Sequence, residues 1–286
     1  MKLRTRQMTN AHAATPGHFP DAHCPLIIGH RGASKVAPEN TLAAFERALA
    51  DGADGIEFDV RLARDNVPVV IHDATLKRTA ATTAHLDAPI AALSSSELST
   101  IDVGSWFNRR FPARAEASYA RETVPTLARV FDSIAPHCRT LYVELKCESA
   151  DITNFAEKVV TEVRAHGLEE RVVIESFALA AITEVKRIAP ELRTAAAFER
   201  HLRRPMPAPR TLLRQARACR ADELALARTL VSRRMVEAAR ACELPIPVWT
   251  VDHPSWVGRA SALGLRAIIT NDPARLRAAF DDLRER

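Results

Sequence analysis

Residues 55–60, with the sequence GIEFDV, show the pattern on which the predicted fold depends. Apolar residues alternate there with Glu57 and Asp59, and successive side chains of an extended strand point to opposite faces. The three apolar side chains therefore share one face and the two carboxylates share the other. In a closed barrel the apolar face would pack on helices and the carboxylates would point toward the mouth. In an edge strand the carboxylates would simply face solvent.

Outward from this strand, short apolar runs alternate with longer segments of helical periodicity. Strands are predicted at residues 26–29, 56–60, 67–71, 140–146, 171–175, 194–198, 223–227, 247–251 and 267–270. Helices are predicted at residues 41–50 with Asn40 as cap, and at 126–135, 152–165, 179–188, 211–219, 232–241, 255–263 and 273–283. This alternation predicts an α/β fold with a parallel sheet and right-handed crossovers, closed as a TIM (β/α)8 barrel.

The alternation is interrupted once, at about residues 73–123. Connections in such units usually have ~2 to 6 residues, so this stretch is predicted to be an insertion after the second βα region. We expect residues 25–286 to form one barrel that carries this insertion. Residues 1–24 lack an apolar core for a signal peptide and are expected to be a disordered tail.

The composition limits the class of protein. The hydrophobic fraction of 47% and the charged fraction of 26% are typical of a globular chain that can bury a core. The net charge of +5 is spread along the chain, and the Pro- and Arg-rich stretch 200–210 has almost no aromatics, which argues against nucleic-acid binding. The five cysteines form no CxxC pair, so neither a disulfide framework nor a zinc cluster is indicated. Without a long apolar run, a cytoplasmic protein with no stable membrane association is expected.

A second strand repeats the pattern of the first. Glu144 and Lys146 share one face at the end of the apolar strand 140–146. Inward carboxylates on two buried strands are costly unless a cation pairs with them. Glu57, Asp59 and Glu144 offer hard oxygen ligands, so one divalent cation, Mg²⁺ or Ca²⁺, is the predicted cofactor.

Two histidines supply groups that titrate near neutral pH. His30 and His72 each follow a predicted strand beside the carboxylate strands, and paired imidazoles suit general acid and base catalysis. A single histidine at such a position is more often structural. Arg31 and Lys146 could bind a phosphate, or could form salt bridges with Glu57 or Glu144, and both can hold together.

These residues lie in motifs that resemble the glycerophosphodiester phosphodiesterase family over about residues 26–283. The motifs are Gly29-His30-Arg31-Gly32, Ala37-Pro38-Glu39-Asn40-Thr41, Gly55-Ile56-Glu57-Phe58-Asp59-Val60, His72-Asp73 with Leu76 and Arg78-Thr79, Glu144-Leu145-Lys146, Ser176-Phe177, Val248-Trp249-Thr250-Val251 and Ile269-Thr270-Asn271-Asp272-Pro273.

The resemblance implies a TIM barrel with a small insertion after His72. It assigns Glu57, Asp59 and Glu144 to the metal, His30 and His72 to acid–base catalysis, and Arg31 and Lys146 to phosphate. Trp249 would line the alcohol side of the substrate, although it could also be plain barrel core. The sequence departs from the family at two positions, with Asp252 where Asn is frequent and Asn271 where Asp is common.

The expected reaction is hydrolysis of a small glycerophosphodiester to an alcohol and sn-glycerol 3-phosphate. One histidine would deprotonate the neighbouring glycerol hydroxyl, the other would protonate the leaving alcohol, and water would open the resulting cyclic phosphate. Two alternatives stay open. The chain could cleave lysophospholipids or sphingolipids in a phospholipase D-like reaction, or it could be a noncatalytic barrel that binds phosphate ligands. The sequence does not indicate the oligomeric state, the preferred alcohol or which histidine acts first.

Overall fold

The structure is a computed structural model that describes residues 24–80, 85–147, 151–200 and 206–285. Apart from Cys24, the predicted tail lies outside the described residues, as do residues 201–205 of the Pro- and Arg-rich stretch. The strands are β1 (Leu26–His30), β2 (Gly55–Leu62), β3 (Pro68–Val70), β4 (Thr140–Leu145), β5 (Val172–Ser176), β6 (Arg193–Phe198), β7 (Glu223–Ala227), β8 (Pro247–Trp249) and β9 (Ala267–Thr270). The helices are α1 (Leu42–Ala50), α2 (Ser95–Leu98), α3 (Ser105–Arg110), α4 (Leu127–Ile134), α5 (Ile152–Ala165), α6 (Leu179–Ile188), α7 (Pro209–Ala218), α8 (Arg233–Arg240), α9 (Ser255–Leu263) and α10 (Pro273–Arg284).

Eight parallel strands close into a barrel. Their order is β1-β9-β8-β7-β6-β5-β4-β2, and β1 pairs again with β2 to complete the circle. Helices connect successive strands around the outside, so the predicted TIM barrel is confirmed. In such barrels the carboxyl ends of all strands meet at one mouth, which brings together side chains that are distant in sequence.

The strand predicted at residues 67–71 is present as β3, but its expected place in the parallel sheet was wrong, because β3 is not part of the barrel wall. Pro68 pairs with Leu62 and Val70 with Val60, both in an antiparallel ladder. The five intervening residues can form a hairpin but cannot make the crossover that a parallel neighbour requires. Asn66 has a left-handed φ of 60°, as such tight turns often need. His72 therefore follows a short hairpin strand, and it is not equivalent to His30 at the end of β1.

The two faces of β2 behave as its alternation predicts. Ile56, Phe58 and Val60 are fully buried in the cluster between barrel and helices, with Phe45 of α1 and Phe131 of α4. The opposite face of the sheet lines the barrel interior. That interior is filled mainly by small and β-branched residues around one large ring, that of Tyr142. The buried residues of this cluster are Leu26, Ile28, Tyr142, Val173, Ala195, Ala197, Ala225, Ala267 and Ile269.

Helix α1 begins one residue later than predicted. Thr41 is its N-cap, since the Thr41 hydroxyl accepts a hydrogen bond from the backbone N–H of Ala44. Asn40 instead has a left-handed φ of 58°, and its side-chain amide donates to Asp59 at 2.8 Å. The residue predicted as a cap therefore supports a predicted metal ligand.

The insertion between β3 and α4 contains α2, α3 and several single turns of 3₁₀ helix. Phe107 of α3 is fully buried and packs edge-to-face on Tyr119, with ring centroids 5.8 Å apart. The Tyr119 hydroxyl donates to the carbonyl of Val36, so the insertion docks on the loop after β1. Among the helices that the structure describes, none has the length and apolar character needed to cross a membrane.

Candidate active site

Three carboxylates meet at the mouth of the barrel. Glu57 and Asp59 lie on β2, and Glu144 lies on β4 directly beside Asp59 in the strand register. Each offers a ligand oxygen within 4.8 Å of the others, and their exposed fractions are only 3%, 0% and 7%. A buried, oxygen-only donor set of this size fits a hard divalent cation.

Burial and mutual repulsion both act on the ionisation of these carboxylates. Burial and the neighbouring charges of Asp59 and Glu144 raise the pKa of Glu57 well above its ordinary value. Burial and the charge of Asp59 also raise the pKa of Glu144, to about 7. Burial acts in the same direction on Asp59, but the charges of Arg31 and Lys146 outweigh it and lower the pKa of Asp59. Like charges in a low-dielectric site favour protonation unless a cation neutralises them.

Two cationic side chains lie against the carboxylates. The Lys146 ammonium is 2.6 Å from Oε1 of Glu144 and 3.0 Å from Oδ1 of Asp59. The Arg31 guanidinium is 3.1 Å from Oδ2 of Asp59, and the backbone N–H of Arg31 donates to the carboxylate of Glu57 at 3.0 Å. The predicted salt bridge of Lys146 to Glu144 is thus present, whereas the guanidinium of Arg31 pairs with Asp59 rather than Glu57 or Glu144.

His30 lies at the end of β1, next to the carboxylates. Its Nε2 is 3.9 Å from Oε2 of Glu57, and its Nδ1 is 2.7 Å from Oδ1 of Asn271. Burial and the nearby charge of Arg31 lower the pKa of His30 to about 4. The ring is therefore neutral near physiological pH, with one nitrogen available to accept a proton.

His72 is positioned by a chain of charged groups. Its Nδ1 is 2.6 Å from Oδ1 of Asp73, and the Arg78 guanidinium donates to the other oxygen of Asp73 at 2.6 Å. Arg78 also donates to both oxygens of Glu39, at 2.6 and 2.8 Å, and Glu39 accepts from Arg31 at 2.8 Å. Burial lowers the pKa of His72, and the charge of Asp59 partly opposes that effect. This series of ion pairs links His72 to the guanidinium of Arg31, which is predicted to bind phosphate.

Trp249 ends β8 and packs against the apolar interior of the barrel. Phe177 meets it edge-to-face at 5.3 Å, and the Lys146 ammonium lies 5.9 Å from the centre of the Phe177 ring. Phe177 is 40% exposed although it is large and apolar. This pair places an aromatic surface beside Lys146, so Trp249 is both part of the barrel lining and close to the site.

Several residues of the site were not predicted from the sequence. The sequence motifs include Glu39, Asp73, Arg78 and Asn271. Which groups these side chains contact could be seen only in the fold. Glu175 had a readable signal, because residues 172–176 (VVIES) repeat the alternation of β2 and β4. It is buried beside Glu144 in the strand register, and its Oε2 has no hydrogen-bond partner in the described chain. Burial and the charge of Glu144 raise its pKa well above the ordinary value.

The fold is a TIM barrel with buried carboxylates beside cationic side chains at its mouth, an arrangement that fits an enzyme acting on a charged substrate. The sequence profile of the glycerophosphoryl diester phosphodiesterase family matches residues 30–275. The chain therefore belongs to this family, as its motifs predicted.

Individual relatives agree with this assignment. A glycerophosphodiester phosphodiesterase of Caldanaerobacter subterraneus is 33% identical over 251 residues, which is 88% of this chain and 96% of the relative. A solved glycerophosphodiester phosphodiesterase of Agrobacterium tumefaciens is 30% identical with a TM-score of 0.71, covering 89% and 99% of the two chains. An Oleispira antarctica phosphodiesterase, solved with the product sn-glycerol-3-phosphate, is 26% identical with a TM-score of 0.78, covering 90% and 97%. The prediction of a phosphodiesterase is confirmed.

Proposed function

We propose that this protein hydrolyses glycerophosphodiesters to an alcohol and sn-glycerol 3-phosphate, with a divalent cation and two catalytic histidines. The observation that carries the proposal is the meeting of Glu57, Asp59 and Glu144 with His30 and Lys146 at one barrel mouth. The product found in the Oleispira antarctica relative supports the same substrate class.

The proposed cation ligands are Glu57, Asp59 and Glu144. Burial and the neighbouring negative charges raise the pKa values of Glu57 and Glu144, and a bound cation would oppose that effect. When bound, Mg²⁺ or Ca²⁺ would supply positive charge to a phosphate oxygen and make a nearby hydroxyl more acidic. All three ligands are oxygens, which both ions accept, so the donor set does not choose between them.

Arg31 and Lys146 are the proposed phosphate-binding residues. Each already contacts a carboxylate of the cluster, with nitrogen–oxygen distances of 2.6 to 3.1 Å. These contacts neutralise part of the charge of Asp59 and Glu144. Once a cation takes over that role, their N–H groups can donate to the substrate phosphate, Arg31 through its fork and Lys146 as a point charge.

His30 and His72 are the proposed acid–base pair. Each ring has its Nδ1 in a hydrogen bond, to Asn271 and to Asp73 respectively, which leaves Nε2 for proton transfer. One ring takes the proton of the glycerol hydroxyl that attacks phosphorus, and the other gives a proton to the departing alcohol oxygen. The roles reverse when water opens the cyclic phosphate. Trp249 and Phe177 are proposed to contact the alcohol.

The test is release of sn-glycerol 3-phosphate from glycerophosphocholine and glycerophosphoethanolamine, with Mg²⁺, with Ca²⁺ and with EDTA. EDTA and Glu57→Ala should abolish turnover, and His30→Ala or His72→Ala should each lower kcat by roughly 10²- to 10⁴-fold with the fold intact. His137→Ala, at an exposed position away from the barrel mouth, is the matched control and should act like wild type.

The outcomes separate the alternatives. Normal turnover by either His30→Ala or His72→Ala contradicts the acid–base assignment. Inactivity on soluble diesters with metal still bound would favour cleavage of lysophospholipids, which release of the head-group alcohol from lysophospholipid micelles would measure. Inactivity without metal binding would favour a noncatalytic phosphate-binding barrel.

A further inference from the structure

Asp252, which follows β8, makes a dense set of hydrogen bonds to the end of β9. Its Oδ1 accepts from the backbone N–H of Asn271 at 2.8 Å and from the Thr270 hydroxyl at 3.1 Å. Its Oδ2 accepts from the side-chain amide of Asn271 at 2.8 Å. Both carboxylate oxygens are therefore committed to donors on two consecutive residues.

These bonds fix the orientation of the Asn271 amide. A carboxylate only accepts hydrogen bonds, so the NH₂ of Asn271 must face Asp252 and its carbonyl oxygen must face the other way. That oxygen also accepts from the Ser34 hydroxyl at 2.9 Å and lies 2.7 Å from Nδ1 of His30. A flipped amide would set its oxygen against the carboxylate and its NH₂ against the Ser34 donor.

The orientation of Asn271 in turn fixes the tautomer of His30. Because Oδ1 of Asn271 can only accept, Nδ1 of a neutral His30 must carry the ring proton, and the lone pair lies on Nε2. Nε2 is the nitrogen on the side of Glu57, 3.9 Å from its carboxylate, and so faces the candidate active site.

We propose that Asp252 is a positioning residue that acts through Asn271 to keep His30 protonated on Nδ1, which makes His30 the proton acceptor in the first step. In that step the proton of the attacking glycerol hydroxyl moves to Nε2, and the Nδ1 proton stays on the ring. This inference rests on the proposed function for the role of His30, and Asp252 itself touches no reacting atom.

Exchange of the side chains at positions 252 and 271 tests this proposal. In Asp252→Asn the single carbonyl oxygen stays with the backbone N–H and Thr270, so the new NH₂ faces Asn271 and turns its amide over. The NH₂ of Asn271 then faces Nδ1 of His30, which favours the tautomer with the proton on Nε2. In Asn271→Asp two carboxylates face each other without a donor between them. In the double variant the amide introduced at position 252 can donate to the carboxylate introduced at position 271, and that carboxylate still accepts from Nδ1 of His30.

Asp252→Asn should therefore lower kcat, on the order of a hundredfold or more for a lost general base, while KM changes much less. Asn271→Asp keeps an acceptor for Nδ1 of His30, so its kcat should fall less, through repulsion between the two carboxylates. The double variant D252N/N271D should recover to within about tenfold of wild type, since the Nδ1 acceptor is restored. Asp54→Asn is the matched control, because Asp54 also accepts a backbone N–H, from Ile27, but at the opposite end of β1 and β2, and it should keep normal kcat.

Nitrogen-15 spectra of the histidine rings report the tautomer directly, and His30→Ala identifies the His30 signals among the ten histidines. Wild type should show His30 protonated on Nδ1, and D252N should shift it toward the Nε2-protonated form. Wild-type His30 protonated on Nε2 overturns the inference, even if the variants fail to fold. So does normal kcat in D252N, or a folded double variant as slow as D252N. Normal activity of His30→Ala would instead refute the proposed function.

Discussion

At the scale of single residues, the protonation of Glu57, Asp59 and Glu144 depends on their burial and on the charges of one another. Burial opposes ionisation of Glu57 and Glu144, and each carboxylate makes the ionisation of its neighbours harder. Asp59 is the exception because Arg31 and Lys146 both contact it. Arg31 and Lys146 thus contact Asp59 and Glu144, and an added divalent ion would change the protonation equilibria of all three acids.

The raised pKa of Glu144 predicts that metal binding depends on pH. Its pKa is raised from 4.5 to about 7, so between these values the metal-free folded protein holds a proton that the unfolded chain has lost. The contribution of Glu144 to stability therefore falls as pH rises through this range. A bound cation must displace that proton, so we expect metal to bind more tightly as pH rises toward 7.

The measurement is the rise in Tm on adding Ca²⁺ or Mg²⁺, compared below and above pH 7 by calorimetry. The rise should grow with pH in wild type and should be smaller and flatter in Glu144→Gln, which has no proton to lose. A metal-induced rise in Tm that is independent of pH in wild type would contradict this account.

At the scale of elements, the hairpin of β2 and β3 delivers His72 to the site from outside the barrel wall. The first residues of the insertion then fold back so that Arg78 bridges Asp73 and Glu39. One guanidinium thus connects the insertion with the loop after β1, where Arg31 lies. The orientation of His72 and the position of the Arg31 guanidinium are both coupled to the placement of this short segment.

Arg78→Gln should therefore lower kcat without unfolding the barrel, by up to about a hundredfold, because small displacements of catalytic groups have effects of this size. Steady-state kinetics and circular dichroism measure the two effects separately. Lys77→Gln is the matched control, since Lys77 is the neighbouring residue and pairs with Asp87 in an exposed ion pair. Equal activity of both variants would show that the bridge does not position His72 or Arg31.

At the scale of the whole molecule, the site exists only because the barrel closes. β2 stands between β1 and β4, and its register sets both His30 beside Glu57 and Asp59 beside Glu144. Close approach of β2 and β4 requires Gly55 at the start of β2. A Cβ atom there would lie 2.0 Å from the carbonyl oxygen of Thr140, far inside contact distance.

Gly55→Ala should destabilise the protein by about 3 kcal/mol, since overpacking against backbone cannot be relieved by side-chain movement. Urea unfolding measures the change in free energy. Gly258→Ala is the control, because Gly258 lies within α9 with no atom within 4 Å of the added methyl group, and it should be neutral or stabilising by up to about 1 kcal/mol. A Gly55→Ala protein as stable as wild type would contradict the assigned register.

Features that depend on local periodicity could be predicted from the amino-acid sequence alone. Alternation along β2 and β4 predicted which side chains face the helices and which carboxylates face inward, because a strand has a period of two whatever surrounds it. The repeated strand and helix pattern predicted the barrel, and the motifs predicted the family. Glu175 could have been added by the same reasoning, since β5 carries the same alternation.

Contacts between groups that are far apart in the sequence could not be predicted without the fold. Asn271 and His30 are 241 residues apart, and their contact depends on the closure of β1 against β9. Asn40 was predicted as a helix cap, but the fold places it against Asp59. Residues 67–71 were predicted as a strand of the parallel sheet, but β3 pairs antiparallel with β2. Periodicity specifies the direction of a side chain relative to its own strand, whereas its partner depends on strand order and register, which the whole molecule sets.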